Sequence, residues 1–400
     1  MSPPTPAAST QAAISEPGLK TSRTIGYFAG FVVLGLMVAS LGPTLPGLAE
    51  NTHVRLSEIS FLFIARSLGH VLGSLQGGRL YDRVPGHILL AAVLVAMAVL
   101  MALAPLVPYL WLLTAALLMM GVTAGALDVG NNTLMIWVHR EKCGPFINGG
   151  HFFFGAGGFL APVVIAQVVL LSGDITWAYW VLALLMLPAV VWLLRLPSPA
   201  PMVVSDDGSS AQINHVLVAL VALFLFLYVG MEASYGGWVY TYAVTLGLAD
   251  ETMAAYLTSA FWGAFTLGCL VAIPISIRVR PRYTLLADLA GSGISLGFLL
   301  LLPHSALALW LGTVGMGLSL ASIFPTTLSL AQRRMTITGR VTSWFFAGAG
   351  AGGMVLPWLI GQFFESVGPQ VTVFAMLVDL MVALGVAVVL IRLDSPHERR

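Results

Sequence analysis

Among the 400 residues are 17 acidic and 18 basic side chains other than histidine, and most of them lie outside the apolar stretches. The exceptions are Arg66 and His70, which share one helical face at i, i+4 spacing; Asp128, followed by Asn131 and Asn132; Glu232; Asp288; and Asp379. An ionisable group near the centre of a bilayer costs about 2.5 kcal/mol or more, so each of these needs a partner, an ion or a substrate. Asp128 with Arg66 makes a neutral pair that protonation or cation binding at the carboxylate releases, which is the chemistry of a coupling site. Around Glu232 the order Tyr228-Val229-Gly230-Met231-Glu232-Ala233-Ser234-Tyr235-Gly236-Gly237-Trp238 sets Glu232, Tyr235 and Trp238 at helical spacing beside a glycine pair that loosens the backbone. A carboxylate accepting two hydroxyl hydrogens between aromatic faces suits a polyhydroxylated substrate. His70, Asn131, Asn132 and His151 extend the polar part of the expected substrate set, and Trp262 and Trp344 extend its aromatic part.

Such groups need a scaffold that gathers them inside lipid, and the composition supplies one. The chain is 58% hydrophobic and 9% charged, against about 25% charged in a soluble globule. The apolar stretches have the length of membrane-crossing helices, about 20 residues, rather than that of barrel strands, about 10. Breaks at charged or Pro/Gly-rich segments predict twelve helices, near 25–48, 56–79, 88–107, 110–138, 145–171, 175–196, 214–246, 251–276, 283–303, 306–331, 337–364 and 369–392. The chain therefore reads as an all-α membrane protein with a disordered cytoplasmic segment 1–24, a six-helix bundle 25–196, a linker 197–213, a second six-helix bundle 214–393 and a tail 394–400. Basic residues gather on one side: Lys20 and Arg23, Arg79 and Arg83, Arg140 and Lys142, Arg195, Arg278 to Arg282, Arg333 to Arg340, and Arg392 to Arg400. Positive charge is retained in the cytoplasm, so both termini are expected there and the chain is expected to be multi-pass in the plasma (inner) membrane, as a monomer.

The two bundles are copies. Gly155-Ala156-Gly157-Gly158 with Pro162 recurs as Gly350-Ala351-Gly352-Gly353 with Pro357, a spacing of 195 residues, and Gly35 with Gly230, Gly42 with Gly237 and Gly73 with Gly268 follow the same offset. Paired halves are the plan of many secondary transporters. Small residues allow close helix contact, and the proline bends a helix where a hinge is needed. No phosphate-binding glycine loop, metal-ligand spacing or nucleophile with an adjacent base suggests an enzyme. A net charge of +1 suggests no nucleic-acid partner. Cys143 and Cys269 imply neither a disulfide nor a metal framework, and no cofactor is expected.

At the end of expected helix 2, Gly78-Arg79-Leu80-Tyr81-Asp82-Arg83 resembles the loop 2–3 signature of the major facilitator superfamily through Gly78, Asp82 and Arg83. In that signature the glycine lets helix ends approach and the acid makes charge-assisted bonds that break when the halves rock. The segment from Cys143 to Pro162 and the segment from Tyr228 to Val239 look like helices 5 and 7 of the sodium-dependent glucose transporter-like branch, which is related to the fucose permease group. The resemblance implies a carrier of a glucose-like monosaccharide, coupled to sodium or protons and working by alternating access. It also implies that helices 3, 6, 9 and 12 are peripheral, making Asp288 and Asp379 structural, and that Asp128 occupies the place of an essential acid in helix 4. A sodium ion would sit near Asp128. Expected helix 1 contains no acid where fucose permeases have one, so the coupling ion stays open between sodium and the proton. Two other readings fit the same scaffold, a proton-coupled exporter of drugs or metabolites and a membrane sensor that does not transport.

Overall fold

A computed structural model describes residues 16–81, 83–200, 214–333, 335 and 339–393. It is built from helices α1 (Glu16–Thr52), α2 (Leu56–Ile59), α3 (Phe61–Tyr81), α4 (Gly86–Leu103), α5 (Leu110–His139), α6 (Gly144–Ser172), α7 (Ile175–Leu194), α8 (His215–Thr245), α9 (Glu251–Arg278), α10 (Pro281–Leu301), α11 (Ala306–Leu320), α12 (Ile323–Gln332), α13 (Gly339–Val367) and α14 (Val371–Leu393). Among the described residues, eleven helical stretches are long and apolar enough to cross a membrane, with α11 and α12 together forming one of them. The twelfth crossing is α3, which carries Arg66, His70 and Arg79 and is led in by the short α2.

The first helix begins earlier than its hydropathy suggests. Residues 16–24, expected to be disordered, are the start of α1. Polar bonds hold this start: the Arg23 guanidinium donates twice to the Pro197 carbonyl, at 2.8 and 3.0 Å, and Thr24 Oγ1 lies 2.7 Å from His139 Nε2. Residues 1–15, the linker segment 201–213, Asp82 and the tail 394–400 lie outside the described residues.

The offset of 195 runs through the whole fold. Added to the bounds of α6, it gives 339–367, the bounds of α13, and added to the first residue of α4 it gives the first residue of α10. Equivalent helices also pair alike. In the first bundle α1 packs on α6, α3 on α5 and α4 on α7; in the second α8 packs on α13, α9 on α11 and α10 on α14.

The repeated glycine string makes two kinds of contact. Gly157 and Gly352 face helices of their own bundle, where an added Cβ would strike the carbonyl of Val32 on α1 and of Phe226 on α8. Gly155 and Gly158 face α9 of the opposite bundle at Thr266 and Trp262, while Gly350 and Gly353 face α3 at Val71 and Ser67. Residues 67 and 71 plus 195 are 262 and 266, so the two junctions between bundles, α6 with α9 and α13 with α3, are built on the same pairs. Pro357 leaves the Gly353 carbonyl without its helical donor, and the Ser67 hydroxyl donates to that oxygen at 3.2 Å across the junction.

The bundles meet toward the end opposite the termini. There Gln362 Nε2 donates to Ser57 O (2.7 Å) and lies 3.1 Å from Ser60 Oγ, Glu365 accepts from the Leu56 N–H at 3.0 Å, and Gln167 pairs with Tyr256. Gln167 and Gln362 are themselves 195 apart. Ser234 to Ala243 on α8 are ten consecutive buried residues in this half. At the terminus end, by contrast, Val271 is exposed and the run Ile273 to Arg278 on α9 is exposed on every face, as are Ser343, Trp344, Phe346 and Ala347 on α13. One end of the molecule is sealed and the other is splayed.

Candidate functional site

The polar groups of the first bundle converge where α3 and α5 run side by side. Small residues bring these helices together: a Cβ on Gly69, Gly73, Gly121 or Gly125 would strike backbone of the facing helix. That approach sets His70 Nε2 3.6 Å from Asp128 Oδ2. Asn132, one turn beyond Asp128, donates its amide to Asp128 Oδ1 and to the Asp128 carbonyl, each at 3.0 Å. The His70 and Asp128 side chains keep 35% and 26% of their surface exposed, so the carboxylate is hydrogen-bonded by Asn132, has the His70 imidazole beside it and stays open to a further group. His151 on α6 lies within electrostatic range of Asp128 and is exposed, its ring 6.3 Å from Phe31.

Arg66 does not join this cluster. Its guanidinium donates to the Val38 carbonyl at 2.9 Å and lies 5.8 Å from the Phe63 ring. The i, i+4 spacing of Arg66 and His70 does give them a common side of α3, but the arginine reaches toward α1 and the histidine takes Asp128.

Several expected substrate contacts are turned inward. Asn131 is wholly buried against Gly30 of α1, and neither its Oδ1 nor its Nδ2 has a hydrogen-bond partner. Tyr235 is buried with its hydroxyl 2.8 Å from Thr313 Oγ1. Trp238 is buried, donates to Pro357 O at 2.9 Å and stacks on Phe364 at 5.0 Å. Both aromatics therefore tie α8 to its neighbours instead of facing an open space. Glu232 is half-buried on the same helix and interacts with the Tyr228 hydroxyl one turn earlier. Trp262 lies at the junction with α6, 3.0 Å from the Cβ position of Gly158 and edge-on to Phe154, and its indole N–H is unpartnered. Trp344 is 60% exposed at the splayed end.

In the expected gating loop, Arg83 is exposed and Asp82 lies outside the described residues. The close approach expected of Gly78 belongs to its neighbour. A Cβ on Gly77 would sit 3.0 Å from Ala126 Cα, whereas one on Gly78 meets nothing nearer than Val129 Cγ1 at 3.9 Å.

Sequence reading missed the polar latch of Gln362, Glu365, Ser57 and Ser60, though Gln167 and Gln362 share the repeat offset and were visible by it. A vestibule of about 600 Å3 lined by Glu50, His53, Thr241 and Glu365 opens at this sealed end, away from the Asp128 cluster.

Two sets of paired helices, related by one offset and sealed at one end, are the arrangement of a known family, and its sequence profile matches residues 27–346. The chain belongs to the Major Facilitator Superfamily. Among superfamily members it is 30% identical to the sodium-dependent glucose transporter 1A of Mus musculus, over 84% of this chain and 88% of that protein. It is 31% identical to the human sodium-dependent glucose transporter 1, over 83% of this chain and 72% of that protein. In three dimensions it resembles superfamily crystal structures of a point mutant of the nucleoside transporter NupG and of a D-xylose-proton symporter. Each has a TM-score of 0.72, at 15% and 14% identity; they cover 94% and 92% of this chain, which in turn covers 99% and 97% of theirs.

Proposed function

We propose that this chain is a cation-coupled symporter of a glucose-like monosaccharide, working by alternating access of its two bundles. The observation that carries the reading is the Asp128 carboxylate, bonded by Asn132, flanked by His70 and partly open, in a chain that matches sodium-dependent glucose transporters over most of its length. In a low-dielectric interior, the charge state of Asp128 decides whether His70 and Asn132 are engaged or free for a sugar hydroxyl, and that is the step that links ion to sugar. His151, on the facing side, is the next hydroxyl partner. Glu232, with Trp262 of α9 against Gly236 one turn further along α8, supplies the second-bundle side of the same site, and Arg66 holds α3 to α1. The bundles that rock are 25–196 and 214–393, a monomer in the bilayer.

The basic side of the chain is the splayed side, so the conformation is open to the cytoplasm, with both termini there, in the plasma membrane. Nothing in the arrangement of these groups favours an exporter or a sensor over a sugar carrier, and no catalytic role is assigned.

The test is uptake of labelled glucose into proteoliposomes under an imposed sodium gradient and, separately, a proton gradient, with Asp128→Asn in parallel. Concentrative uptake driven by one of the two and lost in the variant is the expected result. Equal uptake by the variant, or none by the wild type under either gradient, overturns the reading.

A further inference from the structure

The two halves follow one offset, but in one place they are built from different chemistry. The crossing formed by α11 and α12 is interrupted at Ala321 and Ser322. Pro325 explains the break: it has no N–H to offer the Ala321 carbonyl, and its ring crowds that oxygen. The Ala321 carbonyl faces Cys269 Sγ at 3.7 Å instead. Beside the break the Ser322 hydroxyl, buried, donates to the Asp288 carboxylate of α10. Ser319, one turn earlier, lies against α10 at Gly291. Asp288 and Glu232 are both within electrostatic range of the Tyr228 hydroxyl.

Subtracting 195 gives the same positions in the first bundle. Asp288 corresponds to Val93, Ser319 to Ala124, Ser322 to Leu127, Pro325 to Gly130 and Glu232 to Met37. There α5 runs unbroken from Leu110 to His139, and Met37, Ala124 and Leu127 are core residues at 1%, 0% and 0% exposure. The same helix packing is therefore achieved with no polar side chain at any of these five positions. The second bundle carries an acid, two hydroxyls and a broken helix that its fold does not require.

We propose that the break between α11 and α12 is a sodium site, distinct from Asp128. The ligands are the Asp288 carboxylate, the hydroxyls of Ser322 and Ser319, and the carbonyl oxygens that end α11. All are hard oxygen donors, and the C-terminal end of a half-helix presents the negative end of its dipole to a cation. Unwound carbonyls and half-helix C-termini in discontinuous crossings are a recurring way to hold sodium in membrane carriers. Because α12 is joined to α11 only through this break, an ion there fixes the angle between the two segments and so the position of the terminus end of the second bundle.

This inference rests on the reading of the chain as a cation-coupled carrier and takes sodium as the cation. Its test is equilibrium binding of radioactive sodium to the purified full-length protein, with binding of labelled glucose measured in the same preparations. The variants are Asp288→Asn, Pro325→Ala and Asp128→Asn. Asp288→Asn is expected to weaken sodium binding at least tenfold. Pro325→Ala restores the missing backbone donor, so it is expected to raise the melting temperature while weakening sodium binding, a combination that misfolding does not produce. Wild-type sodium affinity in both variants overturns the inference, and if Asp128→Asn alone loses sodium, the ion belongs to Asp128 and the carrier reading stands. If the wild type binds glucose but no sodium, the inference fails together with sodium coupling, while the sugar assignment survives.

Discussion

Asn131 and Asn132 are adjacent in sequence and opposite in circumstance. Asn132 donates to Asp128 and shares its partly open surroundings, whereas Asn131 is sealed against Gly30 with both amide atoms unsatisfied. An unpaired buried amide is a liability of about 1–3 kcal/mol, and an apolar side chain of similar shape removes it. Asn131→Leu is therefore expected to leave the sugar KM unchanged and to raise the melting temperature; a large rise in KM would place Asn131 in the sugar pathway. Glu232→Gln is expected to raise KM about tenfold, which corresponds to about 1.4 kcal/mol of lost binding, with gradient dependence kept. His70→Gln, measured in the same uptake assay, is expected to lower concentrative uptake more than exchange at equal concentrations on both sides, because it removes the partner that responds to Asp128. The residue types at this site were legible from the sequence, since an acid, a histidine and an amide in apolar helices have few other uses. Their pairing was not. Arg66 was the obvious counter-ion by charge, but a main-chain carbonyl on α1 satisfied it, and only the contact of α3 with α5 shows that His70 is the neighbour of Asp128.

At the scale of the element, the repeated glycine string was the most readable feature and also the most consequential one. Its alternation assigns Gly157 and Gly352 to the interior of each bundle, and Gly155, Gly158, Gly350 and Gly353 to the junctions. Overpacking a close helix contact costs about 1–3 kcal/mol or more. Gly157→Leu and Gly352→Leu are accordingly expected to lower the melting temperature of the purified protein. The break at Ser322 escaped the reading because hydropathy over 306–331 is continuous, and a proline inside an apolar stretch marks a kink only when its packing is known. Polar latch residues escaped for a related reason: near a helix end a glutamine is ordinary, and its importance lies in what the other bundle presents to it. The paired change Gln167→Ala with Gln362→Ala removes the bonds to Tyr256, Ser57 and Ser60. It is expected to shift the population toward the state open at the opposite end. Spin-label distances across the sealed end should broaden to longer values, and an unchanged distribution would show that the seal is apolar.

For the whole molecule, the number of helices, their order and the equivalence of the two halves follow from hydropathy and one offset, which is why the fold was largely legible; which helices pack together was not. Its present conformation was not, because sealing and splaying use the same residues in different contacts. The sealed end is held by more polar contacts at one junction than at the other, with Gln362 and Glu365 on one side and Gln167 on the other. Opening is therefore expected to start at the α6–α9 junction. Single-molecule distances measured separately at the two junctions would show which yields first.

Gly42 of α1 lies directly against Gly236 and Gly237 of α8, and Gly237 is its own counterpart 195 residues on. A residue that touches its own image must lie on a twofold axis, as in the self-complementary interface of a symmetric dimer. The contact thus has the form expected of two identical six-helix chains meeting face to face before they were joined. Such an interface does not need the connection between the halves, so residues 1–200 and 214–400 made as separate chains should still find each other in the membrane and purify as a pair.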